Sequence, residues 1–171
     1  MNWKTVVHRN LSESDLLRII GLKDQHWPYG QESQLLWLQK YIRPDDVHLM
    51  GESASNHGIE LLAYLTLSNV NAIVDDRVIS CFGVGGVCVE KAHQHQRLGS
   101  QLLSEAAACF LASDRQGILL CKEGLLPFYE RNGWKALCFQ HAVVAGEEYE
   151  HRIMLFGKAC SCSKIIIDRI F

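Results

Sequence analysis

Residues 87–103, VCVEKAHQHQRLGSQLL, are the stretch on which the fold is decided. The valine-rich start reads as the end of a strand, EKAHQHQR as a polar loop, and LGSQLL as the opening of an amphipathic helix that runs to about Ala112. A loop that empties directly into a helix start gathers the unpaired N–H groups of the first turn at the positive end of the helix dipole, and Arg97 adds a full charge there. Such a place suits a pyrophosphate. The same residues also read as an ordinary strand, turn and helix, so the flanking sequence has to choose between the two.

Upstream, residues 70–89 carry Ile73, Val74, Val78, Ile79, Val84, Val87 and Val89, with Asp75-Asp76 reading as a turn. Glycines at 83, 85 and 86 weaken a strand and mark a bulge or the close approach of another group. VHLMGES and IELLAYLTL read as two strands joined by the turn formers SASNHG. Further back, residues 3–9 read as a first strand. Ser12 followed by Asp15 resembles a capping box opening a helix through Leu16, Leu17, Ile19, Ile20 and Leu22 to about Gln25. HWPYG then breaks the chain before a second helix through Leu35, Leu36 and Leu38. Downstream come a short strand GILLC, a helix LLPFYERN stopped by Gly133, and strands at 134–141 and 151–155. The order β-α-α-β-β-β-α-β-α-β-β implies an α/β fold with a mixed sheet and helices on its faces. No internal repeat or linker divides the 171 residues, which read as one domain.

Composition removes several function classes. A net charge of −2 and the lack of any Lys/Arg run longer than two speak against a nucleic-acid partner. No apolar run approaches the roughly 18 residues that span a bilayer, and the polar first fifteen residues do not read as a leader, so a soluble cytoplasmic protein without a membrane partner is expected. Seven cysteines without a C-x-x-C pair fit reduced, mostly buried thiols. Cys160 and Cys162 are too few for a metal site, and no metal is expected.

On Gln94, Arg97 and Gly99 the central segment resembles the GNAT superfamily of N-acetyltransferases, whose motif is Q/R-x-x-G-x-G/A between the fourth strand and the next helix. Arg97 stands where that family usually has glycine. A second signature follows at the family's spacing in LLPFYERNGW, where Phe128, Tyr129, Gly133 and Trp134 match. Together they cover about residues 80–140, and the spacing looks most like the aminoglycoside 2'-N-acetyltransferases. The resemblance implies a central mixed sheet of six or seven strands flanked by about four helices, in one domain over 1–171 with a C-terminal extension at 157–171.

The resemblance also implies an acetyl-CoA-dependent N-acetyltransferase acting by direct transfer in a ternary complex, with a primary amine of a small molecule as acceptor. The backbone of Val87, Cys88 and Val89 would hold the pantetheine arm in the manner of an added strand. The N–H groups from Gln94 through His95, Gln96, Arg97 and Leu98 to Gly99 would surround the pyrophosphate, with the hydroxyl of Ser100 beside them. Tyr129 would be the general acid, since its phenol can protonate the departing thiolate; the other reading of Tyr129 is a core tyrosine whose hydroxyl bonds the backbone. No carboxylate lies in CFGVGGVCV. Glu90, just beyond, is the candidate base, with Glu32, Asp45, Asp46 and the His26-Trp27 pair as alternatives acting through water. Trp27, Tyr29 and Trp37 read either as an acceptor-site wall or as ordinary aromatic packing, and Cys121 reads as a buried structural thiol rather than a nucleophile.

Competing readings are a nucleotide-binding α/β protein, a non-catalytic acyl-CoA-binding or regulatory module, and acetylation of a protein amine. The first fits poorly, because the glycines precede the strand and no G-x-G-x-x-G or G-K-[ST] opens a helix. The tail KACSCSKIIIDRIF ends in an apolar run expected to pack on the sheet or on a second copy of the chain, which makes a homodimer one expected assembly.

Overall fold

The structure is a computed structural model and describes residues 1–56, 58–157 and 161–171; Cys160 lies outside them. The elements are β1 (Asn2–Val7), α1 (Glu13–Asp24), α2 (Gln31–Tyr41), β2 (Val47–Ser55), β3 (Gly58–Val74), β4 (Arg77–Val89), α3 (Leu98–Ser113), β5 (Gln116–Cys121), α4 (Leu126–Arg131), β6 (Trp134–Ala136), β7 (Cys138–Val144), β8 (Glu147–Glu148), β9 (Arg152–Phe156) and β10 (Ser161–Ile167). This is a mixed α/β architecture, a central mixed sheet flanked by four helices. The chain forms two compact units, Met1–Ser68 with Gly85–Ala106 and Phe171, and Asn69–Val84 with Ala107–Ile170.

In the first unit β1, β2 and β3 pair antiparallel, with Gly51 opposite Trp3. A Cβ at Gly51 would stand 2.6 Å from the Trp3 ring, so only glycine lets the indole lie there. The β2–β3 register shifts between Gly51, opposite Ala63, and Glu52, opposite Leu61. Leu62 is the extra residue of this bulge, and its carbonyl accepts the Glu90 N–H at 2.8 Å. Helix α1 starts as its sequence predicts, with the Ser12 hydroxyl accepting the Asp15 N–H at 3.1 Å. The reciprocal half of the box is missing, because Lys4 and Arg18 take the Asp15 carboxylate. Ile19 and Leu22 of α1 pack with Met50, Leu61, Tyr64 and Cys88 to form the core.

In the second unit β5 pairs antiparallel with β9, which also carries β6, and β4 pairs parallel with β5 from Cys81–Gln116 to Val84–Leu119. Phe110 of α3 presses on Gly117, where a Cβ would meet its ring at 2.4 Å, and stands edge-on to Trp134 and Phe156 at 5.8 and 5.6 Å. The Asp75-Asp76 turn forms with both residues left-handed (φ 44 and 69). The Asp75 carboxylate then accepts the N–H groups of Ser163 and Lys164, each at 2.9 Å.

One expected strand divides here, and the tail takes one of the two placements expected for it. The strand expected over 134–141 is two strands, because buried Leu137 breaks it and the chain leaves β9 on one side to join β10 on the other. The apolar tail lies within the chain's own sheet as β10, antiparallel to β3 and parallel to β7. With two-residue β8 added, ten strands stand among the described residues where six or seven were expected.

Candidate active site

The loop after β4 is built from two turns of unusual backbone. After a short 3-10 turn at Lys91–His93, His95 and Arg97 both take left-handed conformations, with φ 61 and 65. Left-handed backbone costs a side-chain-bearing residue about 1–2 kcal/mol, which is why glycine is favoured there. Arg97 therefore holds a backbone shape that glycine would take at lower cost, and its exposed side chain makes no ion pair among the described residues. The Arg97 carbonyl accepts the first bond of α3, from the Gln101 N–H at 3.0 Å. The N–H groups of Arg97, Leu98, Gly99 and Ser100 are thereby left without helical partners. An Arg97→Val variant is expected to lose about 1 kcal/mol in urea denaturation, whereas Arg97→Gly will lose nothing, since the β-branched residue resists φ 65 more than arginine does and glycine does not resist it. Equal losses for both would remove backbone strain as the reason.

On β4 itself Gly86 is left-handed at φ 61, and the Gly85 carbonyl accepts from the buried Thr66 hydroxyl at 3.1 Å. These are the marks of the irregularity that the glycines imply. The group crowding Gly85 belongs to this chain: a Cβ there would meet the Phe171 carbonyl carbon at 2.6 Å. Val87 and Val89 are half-buried and Cys88 is buried. The Val89 carbonyl is already engaged, by His26 Nε2 at 2.8 Å and by the Gln94 amide at 3.4 Å. Burial pushes the Cys88 thiol up to about 12, with Lys23 acting the other way, so it stays protonated and inert.

Glu90 is tied to His93, whose Nδ1 lies 2.7 Å from its carboxylate. That hydrogen bond holds the Glu90 carboxyl below the usual range and makes it a weaker proton acceptor than a free glutamate. Gln96 bonds the Ala92 carbonyl at 3.2 Å.

Beside β4 lies a cavity of about 600 Å³, lined by Gly86, Trp27, Tyr29 and Trp37 among others. The three aromatic residues considered for an acceptor wall, Trp27, Tyr29 and Trp37, thus lie on one cavity with the irregular point of β4. In the second unit Tyr129 is buried in α4, edge-on to Phe128 and Trp134 at 5.1 and 6.3 Å. No hydrogen bond of its hydroxyl, to backbone or side chain, forms among the described residues. Burial pushes its phenol up to about 12, and Cys121 adds to the shift. Cys121 is itself raised to about 11, by burial first and then by Glu123, which leaves it a poor nucleophile.

One polar group escaped the reading of the sequence. His8 Nδ1 lies 2.9 Å from His48 Nε2, and His48 Nδ1 lies 2.8 Å from the Tyr64 hydroxyl, with His48 and Tyr64 fully buried. Tyr64 packs under Gly86, where a Cβ would be 3.4 Å from its ring. The signal was the pairing of two polar residues on neighbouring strands, but only the observed β2–β3 register brings them together.

The fold is that of the acyl-CoA N-acyltransferases. Escherichia coli ElaA superposes with a TM-score of 0.64 at 20% identity, covering 91% of this chain and 99% of that one. An acyl-CoA N-acyltransferase from Pseudomonas aeruginosa gives 0.65 at 22% identity, covering 92% and 100%. A GNAT family acetyltransferase from Brucella melitensis in complex with acetyl-CoA gives 0.58 at 17% identity, covering 96% and 94%. No curated protein matches the sequence. The family model described as an acetyltransferase (GNAT) domain matches residues 54–136, which contain both motifs. No helix among the described residues is long and apolar enough to cross a membrane.

Proposed function

We propose that this chain is one N-acetyltransferase domain that moves an acetyl group from acetyl-CoA to a primary amine of a small molecule. The observation that carries the reading is the loop at His95 and Arg97, whose left-handed backbone presents the open first turn of α3 as glycine would. In this reading the N–H groups of residues 94–99 and the Ser100 hydroxyl receive the pyrophosphate. The backbone of Val87 and Cys88 receives the pantetheine arm, since the Val89 carbonyl is already occupied. The neutral amine attacks the thioester carbonyl, an oxyanion forms, and the C–S bond breaks to give the amide and a thiolate. Tyr129 supplies the proton that converts that thiolate to free CoA, and the proton shed by the attacking nitrogen as it becomes the amide passes through solvent to restore the Tyr129 phenol. A non-catalytic acyl-CoA-binding module is the second reading, favoured by the pairing of Glu90 with His93, which leaves β4 without a free carboxylate.

Isothermal titration with acetyl-CoA is expected to give a micromolar dissociation constant, with plain nucleotides binding far more weakly. Absence of binding would overturn the proposal. Binding without acceptor-dependent CoA release over a broad amine panel would establish the module instead.

A further inference from the structure

One buried cation forms no ion pair among the described residues. Lys23, in the last turn of α1, is only 5% exposed. Among the described residues no carboxylate lies within ion-pair distance of it. Its Nζ stands 4.2 Å from the centroid of the Trp37 ring. A cation over an indole gains some attraction, but a desolvated ammonium ordinarily acquires a hydrogen-bonded anion as well. Burial lowers the Lys23 ammonium to about 8, with the neighbouring Cys88 acting in the opposite sense, as expected of a charge with nothing to offset its lost hydration.

This group lines the cavity of about 600 Å³ described above, whose other walls include Trp27, Tyr29, Trp37 and Phe171. The side-chain NH₂ of buried Gln34, on the same wall, donates to the Trp27 carbonyl at 2.6 Å and leaves its amide oxygen to accept from a ligand. The cavity therefore offers aromatic faces, one neutral acceptor and a positive charge that no carboxylate among the described residues pairs. A flat apolar body with one negative charge satisfies all three. A doubly charged phosphate would leave excess charge in an apolar site, and a polycationic amine would meet Lys23 as a like charge.

We propose that the acceptor is an aromatic primary amine carrying a carboxylate, and that Lys23 binds that carboxylate. The assignment rests on the acyl-transfer reading for the word acceptor, while binding itself is independent of turnover. The test uses 4-(aminomethyl)benzoate and benzylamine, which share ring and amine and differ in the carboxylate, titrated calorimetrically into the full chain at pH 7. The benzoate is expected to bind at least about tenfold more tightly, the size of a charge-assisted hydrogen bond. A Lys23→Met variant, which keeps the buried stem, will bring the two ligands to parity. Equal binding, a preference for benzylamine, no binding of either at millimolar concentration, or a preference that survives in Lys23→Met would overturn the proposal. The wild-type comparison stands even if the variant fails to fold. Acetyl-CoA titrated into the same protein separates the two readings. Carboxylate preference without acetyl-CoA binding would defeat the acyltransferase and keep the Lys23 site, and acetyl-CoA binding without the preference would do the reverse.

Discussion

Replacing Tyr129 by phenylalanine will lower turnover by about 10² to 10⁴ while leaving acetyl-CoA affinity unchanged, the range typical of a lost general acid. Burial pushes the phenol up to about 12, reinforced by Cys121. At any working pH the hydroxyl is therefore a loaded donor. It is a weaker acid than a thiol, which titrates near 8.5, so it gives up its proton only to sulfur that is already gaining negative charge in the transition state. The substitution removes no hydrogen bond made among the described residues and keeps the ring against Phe128 and Trp134. Stability should accordingly change little. Steady-state rates combined with calorimetric acetyl-CoA binding decide the matter: unchanged turnover removes Tyr129 from the chemistry, and a parallel loss of binding assigns it to the cofactor instead.

Acid will destabilise the protein well before its carboxylates titrate. His48 is held at about 4, by burial first and then by the neighbouring His8, whereas an unfolded histidine titrates at 6.5. Between these values the unfolded chain binds the proton and the folded chain does not. The stabilisation is fully present above 6.5 and is lost as the pH falls towards 4, a total of about 3 kcal/mol. His8 is shifted downward by burial as well and acts in the same direction. A second loss follows between 3.8 and about 2. There the Asp15 carboxyl, raised by burial but lowered more strongly by its hydrogen bonds from Lys4, Arg18 and Ser12, finally protonates. Urea midpoints at pH 7.5, 5.5 and 4.0 should fall in order, and a His48→Gln variant should fall much less over that interval, keeping only the share of His8. A wild-type protein equally stable at all three values would show that the buried pair titrates normally.

Much of the architecture is legible because its local signals agree with one another. The hydrophobic period of α1, the cap at Ser12, the Asp75-Asp76 turn and the opening of α3 each act within a few residues, and the structure forms them where the sequence puts them. What escapes depends on partners distant in the chain. Nothing in WKALCFQH tells that the strand changes neighbours at Leu137, and nothing in the tail says whether this sheet or another copy covers it. The site divides in the same manner. The loop could be located from Gln94 and Gly99, but its left-handed residue is hidden behind an arginine, a type that disfavours that conformation. Lys23 reads as an ordinary basic residue completing a helix end, and only packing against Trp37 turns it into a buried charge.

The position of β10 also shapes how the chain is made. The edge of β3 from Ala72 to Val74 is paired by residues 165–167, which leave the ribosome about ninety residues later. At ordinary translation rates of about 5–20 residues per second, that edge waits roughly five to twenty seconds for its partner. Its backbone groups stay open to pairing with other chains throughout that interval, and the remedy is a late, non-local closure of the kind that slows folding. Overexpression at low temperature in the presence of general chaperones should therefore raise the soluble yield more than any change at the candidate active site.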